Sequence, residues 1–172
     1  MDASSKFIDT LPTKPKELLA KFEEFKIKYR KYEHPPLFTV IDAKKYQKKM
    51  VGMHVKNLFL RDKKKRNFLL VTEQDAEINL KTLHNKIKSD RLSFGSPDRL
   101  WQYLGVRPGA VSPLALINDV GKSVTLLLQD ILQTEQQIHF HPLVNDLTIG
   151  VDLGDLDAFF KFTGHETRFI KL

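Results

Sequence analysis

Cysteine is absent from this chain of 172 residues. No disulfide, thiolate nucleophile, cysteine-ligated zinc or iron–sulfur centre can therefore form. Long apolar runs are missing too. The longest, Val124-Thr125-Leu126-Leu127-Leu128, is strand length, against roughly 20 residues for a membrane-spanning helix. Met1-Asp2-Ala3-Ser4-Ser5 lacks the basic start and apolar core of a signal peptide. A cytoplasmic location without membrane partners is expected. Several catalytic signatures are also absent: the Gly-x-x-x-x-Gly-Lys-Ser/Thr phosphate loop, Gly-x-Gly-x-x-Gly, His-Glu-x-x-His and Gly-x-Ser-x-Gly.

What is present is an ordinary globular composition, and one domain over residues 1–172 is the simplest organisation. The formal charge is +7, from 28 basic and 21 acidic residues. That balance favours polyanionic partners, nucleic acid before membrane. Nothing beyond the first dozen residues looks disordered, and there are no internal repeats.

Thr13-Lys14-Pro15-Lys16-Glu17 reads as a helix start, with a capping hydroxyl and an early proline. Leu18, Phe22, Phe25 and Tyr29 continue one apolar stripe, predicting a helix over about 14–30. The lysines off that stripe fit a solvated face or a phosphate-binding face. His34-Pro35-Pro36 forces an extended path, with His34 a turn residue. Asp42 is placed to cap a short helix through Gln47. Residues 52–62 and 68–72 read as two strands. Lys63, Lys64, Lys65 and Arg66 lie between them at a hairpin tip, either for solubility and edge protection or for contact with nucleic acid. Helices are expected over 80–87 and over the segment capped by Ser96, with Leu100, Trp101 and Leu104 buried and Gly105 as its stop. Leu114–Ile117 suits one helical turn. Strands follow at 123–129, 137–140 and 146–151, then a helix over 155–163 stopped by Gly164, then a strand over 166–172. Strands and helices mix without regular alternation, which argues for an α+β fold with a mixed sheet.

Three segments interrupt this regular pattern and form the candidate site. In the first, Lys56 and Asn57 sit inside an otherwise apolar strand. Lysine is almost never fully buried without a partner, so Lys56 asks for an anion or a cleft mouth. The second is Gly105-Val106-Arg107-Pro108-Gly109-Ala110-Val111-Ser112-Pro113. The third is Phe140-His141-Pro142-Leu143-Val144-Asn145. Their glycines and prolines permit tight turns on a rigid scaffold, the usual layout of a site. His139 and His141 share a strand face, but no third ligand lies near, so no metal is expected. Ser112 has no nearby histidine or aspartate to make it a nucleophile. A hydroxyl bonded to backbone is its expected role.

Six segments in order resemble the YbaK/prolyl-tRNA-synthetase-associated editing family, and within it the freestanding Ala-tRNA(Pro) deacylases. They are His34-Pro35-Pro36-Leu37-Phe38-Thr39-Val40, Lys56 to Leu60, Gly105 to Pro113, Leu116 to Asp119, Phe140 to Asn145 and Thr163-Gly164-His165-Glu166. The resemblance implies a mixed β-sheet curled into an open barrel and flanked by helices. It implies hydrolysis of the ester joining an amino acid to the terminal ribose of tRNA, most simply Ala-tRNA(Pro). Ser- or Cys-tRNA, or a silent tRNA-binding or synthetase-associated module, are the alternatives. No cofactor is implied; the partners are the tRNA(Pro) acceptor end and, as a candidate, prolyl-tRNA synthetase. Lys56 matches the family's strand lysine, and Gly109 to Pro113 its Gly-x-x-x-Pro loop. Asn57 and His141 match further pocket positions. Lys56, Gly109 and His141 are the expected catalytic group. Asn57, Ala110, Val111, Ser112 and Pro113 would contact substrate, with Val40, Ile117 and Leu143 as candidate walls. Lys63 to Arg66 would meet RNA.

Overall fold

The computed structural model of the chain describes residues 4–37, 39–134 and 136–172; the side chain of Val40 also lies outside the description. Five α-helices and eight β-strands alternate irregularly among these residues. Strands β1 (Tyr29–Glu33), β2 (Met53–Asp62), β3 (Asn67–Glu73), β4 (Leu92–Phe94), β5 (Val124–Gln129), β6 (Ile138–Phe140), β7 (Leu147–Val151) and β8 (Arg168–Ile170) form one mixed sheet. Its order is β1-β7-β6-β2-β3-β5-β8, with β4 beside β2. β2 runs parallel to β6 and antiparallel to β3 and β4; β5 runs parallel to β3 and β8. No ladder among the described residues joins β1 to β8, so the sheet stays open.

Strand β3 explains the two-sided packing. Phe68, Leu69, Leu70 and Val71 are all buried, because both faces are covered. Leu69 and Val71 join Phe59, Leu126 and Leu128 in the main core. Phe68 and Leu70 join Leu60, Leu127 and Ile170 in a smaller core on the other face. Helix α1 (Pro15–Glu24), α4 (Pro97–Leu104) and α5 (Leu153–Thr163) cover the first face, through Leu18, Phe22, Leu100, Leu104, Leu156, Phe159 and Phe160. Helix α3 (Leu80–Ile87) covers the second through Leu83 and Ile87.

The helix expected over 14–30 ends at Glu24 instead. Lys26 adopts φ +58°, and the N–H groups of Lys26 and Ile27 donate to the carbonyls of Glu23 and Phe22. This is a left-handed stop made without glycine. Tyr29 then starts β1 rather than ending the helix. Lys14, not Thr13, is the N-cap, and its backbone N–H donates to Glu17 at 2.7 Å. Helix α2 (Val40–Gln47) is capped by Thr39, whose hydroxyl accepts from the Asp42 N–H at 3.1 Å; Asp42 is not the cap. Ser96 and Gly105 bound α4 as expected, but Trp101 is exposed. Ser4–Thr10 forms a 3₁₀ stretch with a kink at Phe7, and Ser4 is buried.

Candidate functional site

The site lies where β2 changes neighbours. Along one edge, β2 pairs with β6 at Met53 and His54, then with β4 from Leu60 on. Among the described residues no ladder covers that edge over 55–58. A cavity of about 270 Å³ opens there, lined by Val55, Lys56, Asn57, Gly109, Val111 and His141 among others. Val55 and Lys56 point to opposite faces of the sheet. Both reach the cavity because it sits at the free edge rather than on a face.

The glycine–proline loop enters this gap. Asn57 Nδ2 donates to the Val111 carbonyl at 3.0 Å. The Ala110 N–H donates to the Arg107 carbonyl at 3.0 Å, closing a turn in which Gly109 has φ +90°. That backbone region favours glycine. The Gly109 N–H has no partner among the described residues. Lys56 Nζ donates to the Ala76 carbonyl. Among the described residues no carboxylate lines the cavity, and Lys56 is the one lysine or arginine that does.

Histidines form the opposite wall. His141 Nδ1 lies 2.8 Å from the Leu147 carbonyl. A carbonyl only accepts, so Nδ1 carries the proton and Nε2 is left as an acceptor. Burial pushes this imidazole down to about 4. His139 and His54 stack with centroids 4.4 Å apart. Their Nε2 atoms donate to the carbonyls of Val51 and Met50 at 3.1 and 3.2 Å. Burial lowers His139 to about 4 and lowers His54 also. His139 Nδ1 is buried without a partner among the described residues. A Cβ on Gly150 would come within 2.9 Å of the His139 ring, so glycine there makes room for it. Helix α2 forms the rim through Ala43 and Gln47. Gln47 and Gln74 exchange side-chain hydrogen bonds of 2.7 and 3.0 Å across the mouth.

Of the expected site residues, the fold brings Lys56, Asn57, Gly109, Val111 and His141 to one cavity. Ala110, Ser112 and Pro113 shape the loop from behind it, all buried. Ser112 Oγ accepts from the Leu114 N–H at 3.3 Å and caps the 3₁₀ turn Pro113–Asn118. Leu143 is buried in the main core and the partly buried Ile117 packs against it; neither lines the cavity. Val40 lies outside the described side chains. Leu37, Val55, Val111 and Phe140 supply apolar wall instead. Lys63 to Arg66 do form an exposed hairpin tip. Arg66 is paired with Asp62 at 2.7 Å and Lys64 with Asp90 at 3.4 Å. At about 3.3 Å per strand residue, the tip stands roughly 20 Å from Lys56. Exposed Lys48 and Lys49 lie nearer, beside the lining residues Gln47 and Met50.

Sequence reasoning missed His54, Gln47, Gln74 and Thr148 in the lining. The parallel pairing of β2 with β6 brings His54 to His139, and no local pattern announces a two-residue parallel contact. No helix among the described residues is long and apolar enough to cross a membrane.

Comparison with known proteins places the fold and the family. The chain is 39% identical over 156 residues to the prolyl-tRNA editing protein ProX of Acetoanaerobium sticklandii, covering 90% of this chain and 95% of that one. It is 36% identical over 157 residues to the prolyl-tRNA synthetase associated domain-containing protein 1 of Danio rerio, covering 88% and 85%. A solved structure described as a candidate trans-editing enzyme for prolyl tRNA synthetase superposes with TM-score 0.66 at 15% identity, over 92% of this chain and 96% of that one. The aminoacyl-tRNA editing domain matches residues 34–159. This chain belongs to the aminoacyl-tRNA editing domain family.

Proposed function

We propose that the chain is a trans-editing deacylase that hydrolyses the ester of mischarged tRNA(Pro), with alanine the residue removed. The observation that carries the proposal is that Lys56 and Gly109, whose N–H has no partner among the described residues, line one small cavity that no described carboxylate lines. An aminoacyl ester is already activated, so positioning and oxyanion stabilisation suffice. The Gly109 N–H would donate to the developing oxyanion. Lys56 would leave the Ala76 carbonyl for the terminal phosphate, as a compact point charge. His141, held down at about 4, has little proton affinity at neutral pH and acts as a hydrogen-bonding wall rather than a base. A hydroxyl of the substrate's ribose then takes the part of assisting the water. Alanine over proline is a matter of exclusion, with Val55, Val111 and Phe140 as the apolar walls.

Residues 1–172 would act as one deacylase domain in the cytoplasm, on tRNA released by prolyl-tRNA synthetase. Phosphate contacts would fall on Lys48 and Lys49 at the mouth, with Lys63 and Lys65 further along the RNA. The test is amino-acid release from Ala-, Ser-, Cys- and Pro-tRNA(Pro) by the wild type and Lys56→Ala. Release of alanine, with proline spared and Lys56→Ala inert, is the expected result. Preference for serine or cysteine would move the substrate within the class. Tight tRNA binding with no release from any of them, at enzyme excess, would make the chain a silent binding module.

A further inference from the structure

The segment before α1 touches both loops that build the cavity. At one end, the Ser4 backbone N–H donates to Asn145 Oδ1 at 2.8 Å, and the Asn145 N–H donates to Ser4 Oγ at 2.7 Å. Ser5 Oγ donates to the Asp146 carboxylate. Asn145 in turn pairs with Leu37, a cavity wall: the Leu37 N–H donates to the Asn145 carbonyl at 2.9 Å, and Asn145 Nδ2 donates to the Leu37 carbonyl at 3.3 Å. At the other end, the Arg107 guanidinium lies over the rings of Phe7 at 4.6 Å and Trp101 at 4.9 Å. Its Nη2 reaches Thr10 Oγ1 at 3.4 Å. A Cβ on Gly105 would come within 2.4 Å of Pro12, so the two segments pack directly. The Arg107 carbonyl accepts the bond that closes the Gly109 turn.

We infer that residues 4–12 are a strap that sets the two site loops in register, with Arg107 and Asn145 as positioning residues for the Gly109 N–H and the Leu37 wall. This rests on the deacylase reading for its kinetic consequence, though not for its geometry. The strap lies outside residues 34–159, which carry the family match. Two features argue against mere surface packing. Ser4 is buried and saturates Asn145, itself fully buried. Arg107 lies over two aromatic rings, a contact that favours a planar guanidinium over the ammonium of lysine.

The experiment compares Phe7→Ala, Phe7→Trp, Ser4→Ala and Arg107→Lys in the full chain, by single-turnover deacylation and by amide hydrogen exchange. A misplaced donor acts on the transition state, so Phe7→Ala and Arg107→Lys should lower kcat about tenfold with KM nearly unchanged. Phe7→Trp, which keeps a ring against Arg107, should restore it. Exchange at Ala110, whose N–H closes the Gly109 turn, should quicken about tenfold in Phe7→Ala, and at Leu143 and Asn145 in Ser4→Ala, while β3 amides stay protected. Unchanged exchange at both loops overturns the strap, whatever the activity. So does a loss of rate that tracks only the loss of folded protein. If the wild type releases no amino acid, the deacylase reading fails by itself and the exchange data alone decide the strap.

Discussion

Two places in this molecule bury histidine, and they are built in opposite ways. At the back of the fold, His165 Nε2 lies 3.0 Å from Asp119 Oδ2, and its Nδ1 lies 3.0 Å from Thr163 Oγ1. Asp119 also accepts from the Ser123 and Val124 N–H groups at 2.9 and 2.8 Å. Both polar ends of the ring are matched. At the cavity, His139 Nδ1, Asn57 Oδ1 and the Gly109 N–H have no partners among the described residues. Saturated polar groups fix structure, whereas unsaturated ones in a native fold call for an explanation. Under the proposed function a ligand would meet those at the cavity; Asn67 Oδ1, Asp90 Oδ2 and Arg107 Nε, away from it, are also buried without hydrogen-bond partners among the described residues. Both regions fall in segments that the family resemblance singled out, so residue type alone did not separate them.

The largest expected effect is on the saturated side. Asp119→Ala leaves His165 buried without its partner and two backbone donors without an acceptor. It should cost about 3–5 kcal/mol of stability. Thermal and urea unfolding measure the change. Turnover per folded molecule should stay within about twofold, since no catalytic group is removed. A selective loss of turnover at unchanged stability would break the comparison, because it would put chemistry at the back of the fold.

On the unsaturated side the expectation reverses. Lys56→Ala should lower deacylation about 100-fold or more, with the unfolding midpoint nearly unchanged. In the free protein the Lys56 ammonium donates to the Ala76 carbonyl at the cavity edge, and little native structure depends on that bond. A midpoint that fell as far as it does in Asp119→Ala would mean that Lys56 is a structural residue, and the proposed role would fail.

Acid separates the two regions by window. His139 and His141 sit at about 4 in the folded protein, against about 6.5 when unfolded. Below 6.5 the unfolded chain therefore takes up protons that the native cavity refuses. Stability should fall as pH drops from about 6.5 to 4, at about 1.4 kcal/mol per pH unit for each ring. Asp119 is different. Hydrogen bonds from His165, Ser123 and Val124 hold its carboxyl below the usual carboxylate range, against the opposing effect of burial. Its contribution is present above about 3.9 and is lost only as pH falls further, through its folded value. Urea unfolding from pH 7 to 3 reads both windows. His139→Gln should flatten the upper one, and Asp119→Asn the lower.

These regions also show what could be read from residues alone. Caps were legible because they are local: Ser96 and Pro97 open α4, and Gly105 and Gly164 close α4 and α5 in left-handed conformations. Strand β3 was legible as a continuous apolar run. The end of α1 was not, because Tyr29 continued the helical stripe while Lys26 took up a left-handed turn with no glycine to signal it. The resemblance supplied Lys56 and the loop from Gly109. It did not orient Ile117 or Leu143, since neither motif nor period tells which side of a loop a side chain takes. The strap at Ser4 and Phe7 was invisible for a related reason. Its partners, Asn145 and Arg107, are about a hundred residues or more away in the chain.

The smallest expected effect concerns the cavity's surroundings. Lys48 and Lys49 stand exposed beside the mouth, whereas Lys63 and Lys65 stand at the far end of β2. Each phosphate left without its lysine should flatten the dependence of log KM on log salt by about 0.7–0.9. Removing both mouth lysines should therefore raise KM a few-fold at low salt and flatten the slope, with kcat unchanged. Removing Lys63 and Lys65 should do the same only if the RNA runs along β2. Equal slopes in the two double variants would extend the RNA interface over the whole strand. A change confined to Lys48→Ala/Lys49→Ala would draw it in to the rim of the cavity.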